Sequence, residues 1–349
     1  MAFLFSCKTE VDLRAPYDDK PIVFGLLDQS VDTQYIKINK SFIGDGNNFD
    51  YAGIPDCTIY KNIVGTVKQI SVSGQVAKEY NLQEKYVKNI QDGIFYTDSQ
   101  KVYYFVPDIF DENASYRLDI FIDGDRKKVS AETDVVSSNL NFDNKSFPNE
   151  VKFITDDNPL TYAERTLTFI APKKEMLFSA TLRFYYDEHL TSGSVTRRYI
   201  EFDLGDLTSK IDKEDINFIL NGESFYSQVM NDDYIKSANN NSVDKRVVRH
   251  FEYKVSVANQ ELTTYIKLNQ PNSSIAQETP SYTNIDGGLG VFASRFTIVV
   301  DQSNFGSNDM LLHKLSLEHL YNLNLKFCSD DPKYSASSSS GGPEDFYCP

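Results

Sequence analysis

Tyr116-Arg117-Leu118-Asp119-Ile120-Phe121-Ile122-Asp123-Gly124 is the stretch on which the fold class turns. Tyr116, Leu118, Ile120 and Ile122 recur at every second position, with Arg117 and Asp119 between them, so the extended chain has one apolar and one polar face. Asp-Gly follows, a pair that accepts the positive φ angles of a tight hairpin turn. The segment therefore predicts a half-buried antiparallel strand turning directly into a partner.

Upstream of it, Glu112-Asn113-Ala114-Ser115-Tyr116 has the acidic-x-small-x-Tyr pattern of the corner in immunoglobulin-like domains, where the Tyr hydroxyl bonds back to nearby backbone. Further out, strand patterns recur at Ile22 to Leu27, Tyr35 to Phe42, Cys57 to Tyr60, Val64 to Val72, Val102 to Phe105 and Lys128 to Thr133. With Tyr116 to Ile122 these make short strands at the spacing of a sandwich. The expected fold is mainly β: an immunoglobulin-like β-sandwich over 21–135, a Ser/Asn/Asp-rich linker over 136–150, and a larger β-rich domain with short helical insertions over 151–327. In that second body Thr166 to Ile170, Leu177 to Tyr186, Thr196 to Leu204, Val247 to Val257 and Phe292 to Val300 read as strands. Asp212 to Leu220 reads as a helix, with Ile216, Ile219 and Leu220 on one stripe and Phe225, Val229 and Met230 extending it, and Asn259 to Ile266 reads as another.

Of the 349 residues, 35 are basic and 50 acidic, a net charge of −15 that disfavours nucleic acid and anionic lipid headgroups as partners. Aromatic residues make up 13% of the chain, 22 Tyr and 24 Phe with no Trp, so large side chains are plentiful while the commonest sugar-stacking ring is missing. Tyr35, Tyr103-Tyr104-Phe105 and Tyr185-Tyr186 offer a contact surface from those rings that do not fill cores.

Leu4-Phe5-Ser6-Cys7 resembles a bacterial lipobox, which would make Cys7 the acylated residue; the alternative is a short buried strand with a free thiol. Only six residues precede Cys7, against about 15 to 30 in a full leader, so 1–20 reads as a truncated signal and tether. Two or more acyl chains anchor a protein stably without a membrane span. At the other end, 328–349 is a Ser/Gly-rich tail bounded by Cys328 and Cys348, a candidate disulfide that would tie it back as a loop.

Motifs for chemistry are weak. His189, His250, His313 and His319 make no zinc spacing, and Asp187-Glu188-His189 reads as a solvated turn. Asp123-Gly124-Asp125 lacks the rest of a calcium loop, and Gly287-Gly288-Leu289-Gly290 reads as a tight backbone turn before a strand. No catalytic residue, metal or cofactor is expected, so the chain reads as a binding protein and not an enzyme.

Two longer segments resemble one family. Gln34 to Asn47 is similar to a segment near the start of uncharacterised outer-membrane lipoproteins of Bacteroidota, and Tyr282 to Arg295 to their carboxy-terminal signature, with Asp92-Gly93-Ile94-Phe95 and Tyr116-Arg117-Leu118 in order between them. The resemblance spans roughly residues 20–327. It implies a lipid-anchored protein of the outer membrane, facing the exterior, with an immunoglobulin-like first domain. The function expected is non-catalytic binding or assembly with an outer-membrane transport or secretion complex. Glycan binding is the alternative, and a hydrolase a more distant one.

Overall fold

The computed structural model describes residues 18–42, 48–88, 99–124, 126–142, 149–237, 242–269, 282–300, 310–337 and 342–348. Within it Tyr116, Leu118, Ile120 and Ile122 are each at most 1% exposed, and Asp123 and Gly124 have φ of 50° and 73°. Burying each such side chain contributes roughly 1.5–3 kcal/mol, so this one strand face fixes its own register in the sandwich. The fold is mainly β, and the chain forms two units.

Unit 1 comprises Thr33–Thr133, the described residues before Asp28, and the segment ending at Phe292. Its elements are β1 (Pro21–Asp28), β2 (Gln34–Lys40), α1 (Asn48–Ala52), α2 (Pro55–Thr58), β3 (Ile63–Ile70), β4 (Val76–Asn81), β5 (Gln83–Val87), β6 (Gln100–Phe105), β7 (Ser115–Ile122) and β8 (Lys127–Asp134). They pair in the orders β1-β2-β6-β5 and β4-β3-β7-β8. That is the A-B-E-D and C′-C-F-G arrangement of an immunoglobulin-like sandwich. The corner is formed: the buried Tyr116 hydroxyl accepts from the Asp111 backbone N–H at 2.8 Å, and its ring meets Phe110 edge-on at 5.1 Å. Cys57 to Tyr60, expected as a strand, is not one. Pro55 starts a helical turn there, closed by the Ile59 N–H donating to the Pro55 carbonyl at 2.8 Å. Strands β4 and β5 escape sequence patterning because nearly all their side chains are exposed.

The glycines of Gly287-Gly288-Leu289-Gly290 serve close approach. A Cβ on Gly287 (φ 74°) would lie 2.3 Å from the Lys128 carbonyl oxygen, and one on Gly290 (φ 110°) 2.0 Å from that of Val23. Asn284 fastens the same segment, donating to the Phe292 carbonyl at 2.7 Å and accepting from the Phe292 N–H at 2.9 Å, while Asp286 bridges to Ser130. Unit 1 is thus completed by residues far along the chain.

Unit 2 comprises Asp28–Asp32, the described residues from Asp134 to Asn269, and those from Ala293 on. It contains β9 (Asn141–Phe142), β10 (Glu150–Val151), β11 (Ile154–Asp157), β12 (Leu160–Tyr162), β13 (Glu164–Ala171), β14 (Leu177–Leu190), β15 (Val195–Thr208), β16 (Glu214–Asn221), α3 (Gly222–Asn231), α4 (Asp233–Ser237), β17 (Val243–Ala258), α5 (Gln260–Asn269), most of β18 (Leu289–Val300), β19 (Met310–Leu312), α6 (Lys314–Asn322) and β20 (Phe327–Cys328). The inner faces of β14, β15 and β17 share one core with β13 and β16, in which Phe169 lies 6.3 Å from Phe178 and Phe225 stacks on Phe153 at 4.2 Å.

Three sequence expectations change here. The helix expected over Asp212 to Leu220 is strand β16: Ile216, Phe218 and Leu220 are buried, Ile219 is 55% exposed, and the period is two. The helix starts later, at α3, where the Asn221 side chain caps the Glu223 N–H at 2.7 Å. The stretch 136–150 is more than a linker, since Val136 and Leu140 enter the core and β9 pairs with β13. The tail from Cys328 joins unit 2 as well, with Tyr334 and Phe346 buried and their rings 4.9 Å apart.

Candidate functional site

Strands β14 and β15 form a hairpin of two 14-residue strands closed over Thr191-Ser192-Gly193-Ser194, with Gly193 at φ 89°. Alternation along β14 sends Phe178, Ala180, Leu182, Phe184 and Tyr186 inward and leaves Arg183, Tyr185 and Asp187 on the outer face. Register then decides which outer residues meet. Tyr185 stands opposite Tyr199, and Arg183 opposite Glu201 on one side and Glu252 on the other. An irregularity between Phe184 and Tyr186 brings His250 of β17 over Tyr185.

The result is a continuous aromatic and guanidinium surface. The His250 ring stacks on Tyr185 at 4.8 Å, Tyr185 lies 5.4 Å from Tyr199, and the Arg183 guanidinium sits 4.8 Å from the Tyr199 ring centre. Arg183 donates to Glu201 at 2.7 Å and to Glu252 at 3.3 Å, and the Tyr185 hydroxyl donates to Glu252 at 3.3 Å. Tyr199 remains 49% exposed. These bonds hold Arg183 and the Tyr185 ring in place before any ligand arrives, which lowers the ordering cost of binding.

The surface runs into a cleft of about 230 Å³ lined by His250, Arg197, Arg249, Asp330, Lys333 and Tyr334 among others. Asp187 anchors two of its lining arginines, accepting from Arg197 Nε and Nη2 at 2.8 and 3.1 Å and from Arg249 Nε at 2.7 Å. The Arg197 hydrogen bonds, reinforced by Arg249, hold its carboxyl down at about 2 despite burial. Arg249 also reaches across to the tail, donating to both carboxylate oxygens of Asp330 at 2.8 and 3.0 Å. On the other face of the same strand, Glu188 is 1% exposed and accepts from Tyr234, Arg198 and the fully buried Arg246. Burial pushes the Glu188 pKa up, and these three donors outweigh it and leave it lowered. Asp187-Glu188-His189 is therefore not a solvated turn. It lies inside β14, and its two carboxylates serve separate ion clusters on opposite faces.

Cys328 and Cys348 are joined by a disulfide with Cα atoms 5.1 Å apart, and both pack with Val247. Cys7 and the segment that resembles a lipobox lie outside the described residues, as do Asp92 to Phe95 and Asp125. Asp123 sits in the hairpin turn paired with Arg126 at 3.1 Å. The remaining histidines are dispersed: His313 caps α6 through Nδ1, and His319 packs edge-on against Tyr226 at 4.6 Å. Among the described residues no group of three or more His, Cys, Asp or Glu is placed to hold a metal, and no helix is long and apolar enough to cross a membrane. Of the tyrosine stretches, Tyr103 and Tyr186 are buried, while Tyr35 and Tyr104 lie 6.3 Å apart on the outside of unit 1. Sequence reasoning points to Tyr185 and misses Arg183, Tyr199 and Arg249. Their alternation is visible, but the cross-strand register that gathers them is not.

No family model matches the sequence, and no curated protein matches it. Among solved structures, the C-terminal globular domain of an oligosaccharyltransferase from Pyrococcus abyssi is similar at 13% identity, over 64% of this chain and 41% of that one, with a TM-score of 0.26. The chain thus spans less than half of that domain's length.

Proposed function

We propose that this chain is a lipid-anchored, surface-exposed outer-membrane protein that acts without catalysis, as a binding or assembly partner of a transport or secretion complex. The observation that carries the reading is the ordered outer face of unit 2, where Tyr199, Tyr185, His250 and Arg183 present rings and a guanidinium in mutual contact, with Arg183 held by Glu201 and Glu252 and Tyr185 by Glu252. Tyr and Arg dominate the energetic centres of protein interfaces, because each combines a large contact area with a polar end. The resemblance of Leu4-Phe5-Ser6-Cys7 to a lipobox and of longer segments to Bacteroidota lipoproteins supports the location.

The test is affinity purification from mildly solubilised outer membranes, with the unaltered protein beside a Tyr199→Ser, Arg183→Ser double variant. The same partner should come down with the first and be lost, or fall about tenfold or more, with the second. Recovery of the chain alone at every detergent strength, or equal recovery with both proteins, refutes the reading. A glycan-binding role is the second reading, favoured by the half-exposed Tyr199 ring on a surface that leads into the 230 Å³ cleft. Hits on a glycan array that disappear with Tyr199→Ser, together with no protein partner, would replace the first reading by this one.

A further inference from the structure

A second built recess lies in unit 1. Strands β1 and β2 pair with Ile22 opposite Asn39 and Phe24 opposite Lys37, so two apolar and two polar side chains stand side by side on the outer face of the sheet. Phe42, Lys40, Ser41 and Thr58 complete a groove of about 540 Å³. That volume falls in the range of small-molecule sites. It continues into a smaller recess where Ile59 joins the polar side chains of Lys37, Asn39, Thr58, Gln100 and Lys101, so Lys37 stands at the junction of the two.

The charge at that junction has no carboxylate partner among the described residues. The Lys37 ammonium donates to the neutral Gln100 amide oxygen at 2.8 Å, and among the described residues it forms no ion pair. Burial alone draws its pKa below the usual lysine range, so an anion reaching it would relieve a desolvated positive charge. Lys40 stands at the same groove, in a chain whose net charge of −15 otherwise repels anions. With Lys101 already paired with Glu84 at 2.7 Å, the Lys37 ammonium beside Asn39 and Thr58 suits one small monoanionic head. The planar arginine fork that favours phosphate is not among the lining residues.

We infer that this groove binds a small amphipathic carboxylate, with its apolar body against Ile22, Phe24 and Phe42 and its carboxylate on the Lys37 ammonium. The test is isothermal titration of the whole chain with decanoate, and with decanol as the uncharged counterpart. Decanoate should bind at one site and decanol roughly tenfold more weakly, the difference expected of one charge-assisted hydrogen bond. Lys37→Met should bring decanoate down to the level of decanol, Lys37→Arg should retain the preference, and Phe24→Ser should weaken both ligands. Urea midpoints measured on each variant show that it is folded. Equal binding of decanoate and decanol by the unaltered protein overturns the inference. So does the absence of binding at about 1 mM, or binding that survives both Lys37→Met and Phe24→Ser.

Discussion

Replacing Asp187 by Asn removes the charge that anchors Arg197 and Arg249 beside the cleft while keeping the shape of the side chain. The carboxylate accepts three hydrogen bonds from Arg197 and Arg249, and its pKa is about 2 against an ordinary 3.8. A depressed folded-state pKa means that the unfolded chain binds more protons between those values, so stability rises with pH through that window. At about 1.4 kcal/mol per pKa unit, the charge is worth roughly 2 kcal/mol at neutral pH. Because the Arg197 side chain is 55% exposed, solvent screens that arm, and a loss of about 1–2 kcal/mol is the expected figure. Urea unfolding followed by far-UV circular dichroism at pH 7, 5, 4 and 3 measures it. The difference between the unaltered protein and Asp187→Asn should be full at pH 7 and 5, decline below pH 4, and stand at about half by pH 3. A difference that is absent at pH 7, or constant down to pH 3, refutes the assignment of this stability to the charge.

Other consequences are open to the same unfolding assay. Tyr116→Phe keeps the ring packed on Phe110 but strips the Asp111 N–H of its partner, and should cost about 1–3 kcal/mol; an unchanged midpoint would show that the corner bond is replaced by water. Gly290→Ala drives a Cβ into the Val23 carbonyl at positive φ and should cost roughly 2–4 kcal/mol, whereas Gly74→Ala, with open space around it at φ 80°, should cost about 1 kcal/mol; equal losses would remove the close-approach argument. Cys348→Ser opens a loop with a sequence separation of 20 and should lower stability by roughly 3 kcal/mol under oxidising conditions, with no difference between the two proteins after full reduction.

The sandwich was readable because its central strand obeys a strict period of two and ends in Asp-Gly, and because the Glu112-x-Ala114-x-Tyr116 pattern marks the corner, although the tyrosine hydroxyl bonds the Asp111 backbone N–H and not the acidic side chain of the pattern. The edge strands β4 and β5 were not, since side chains that face water on both sides leave no apolar period. The segment Glu214 to Asn221 misled for a related reason. Ile216, Ile219 and Leu220 satisfy a helical stripe as well as Ile216, Phe218 and Leu220 satisfy a strand, and only pairing with β13 chooses between them. Glu188 and Arg246 look like surface charges in the sequence, yet both are almost wholly buried, and each is tolerated because the other is there. The outer face of β14, β15 and β17 combines residues from about 180 to 250, and the contacts that gather them arise from register, which a single sequence does not print.

The fastening of Asn284 to Phe292 inside unit 1 bears on how the chain is made. The strands of the sandwich have all been translated by Asp134, but Asp286, which bridges to Ser130, and Gly290, which lies against Val23, are added only some 150 residues later. At about 5–20 residues per second, the nascent sandwich waits roughly 10–30 s for its last segment. During that interval the surface which Asn284 to Phe292 will cover is open to chaperones, and a polypeptide released early, even with every strand from β1 to β8 present, is an unfinished domain.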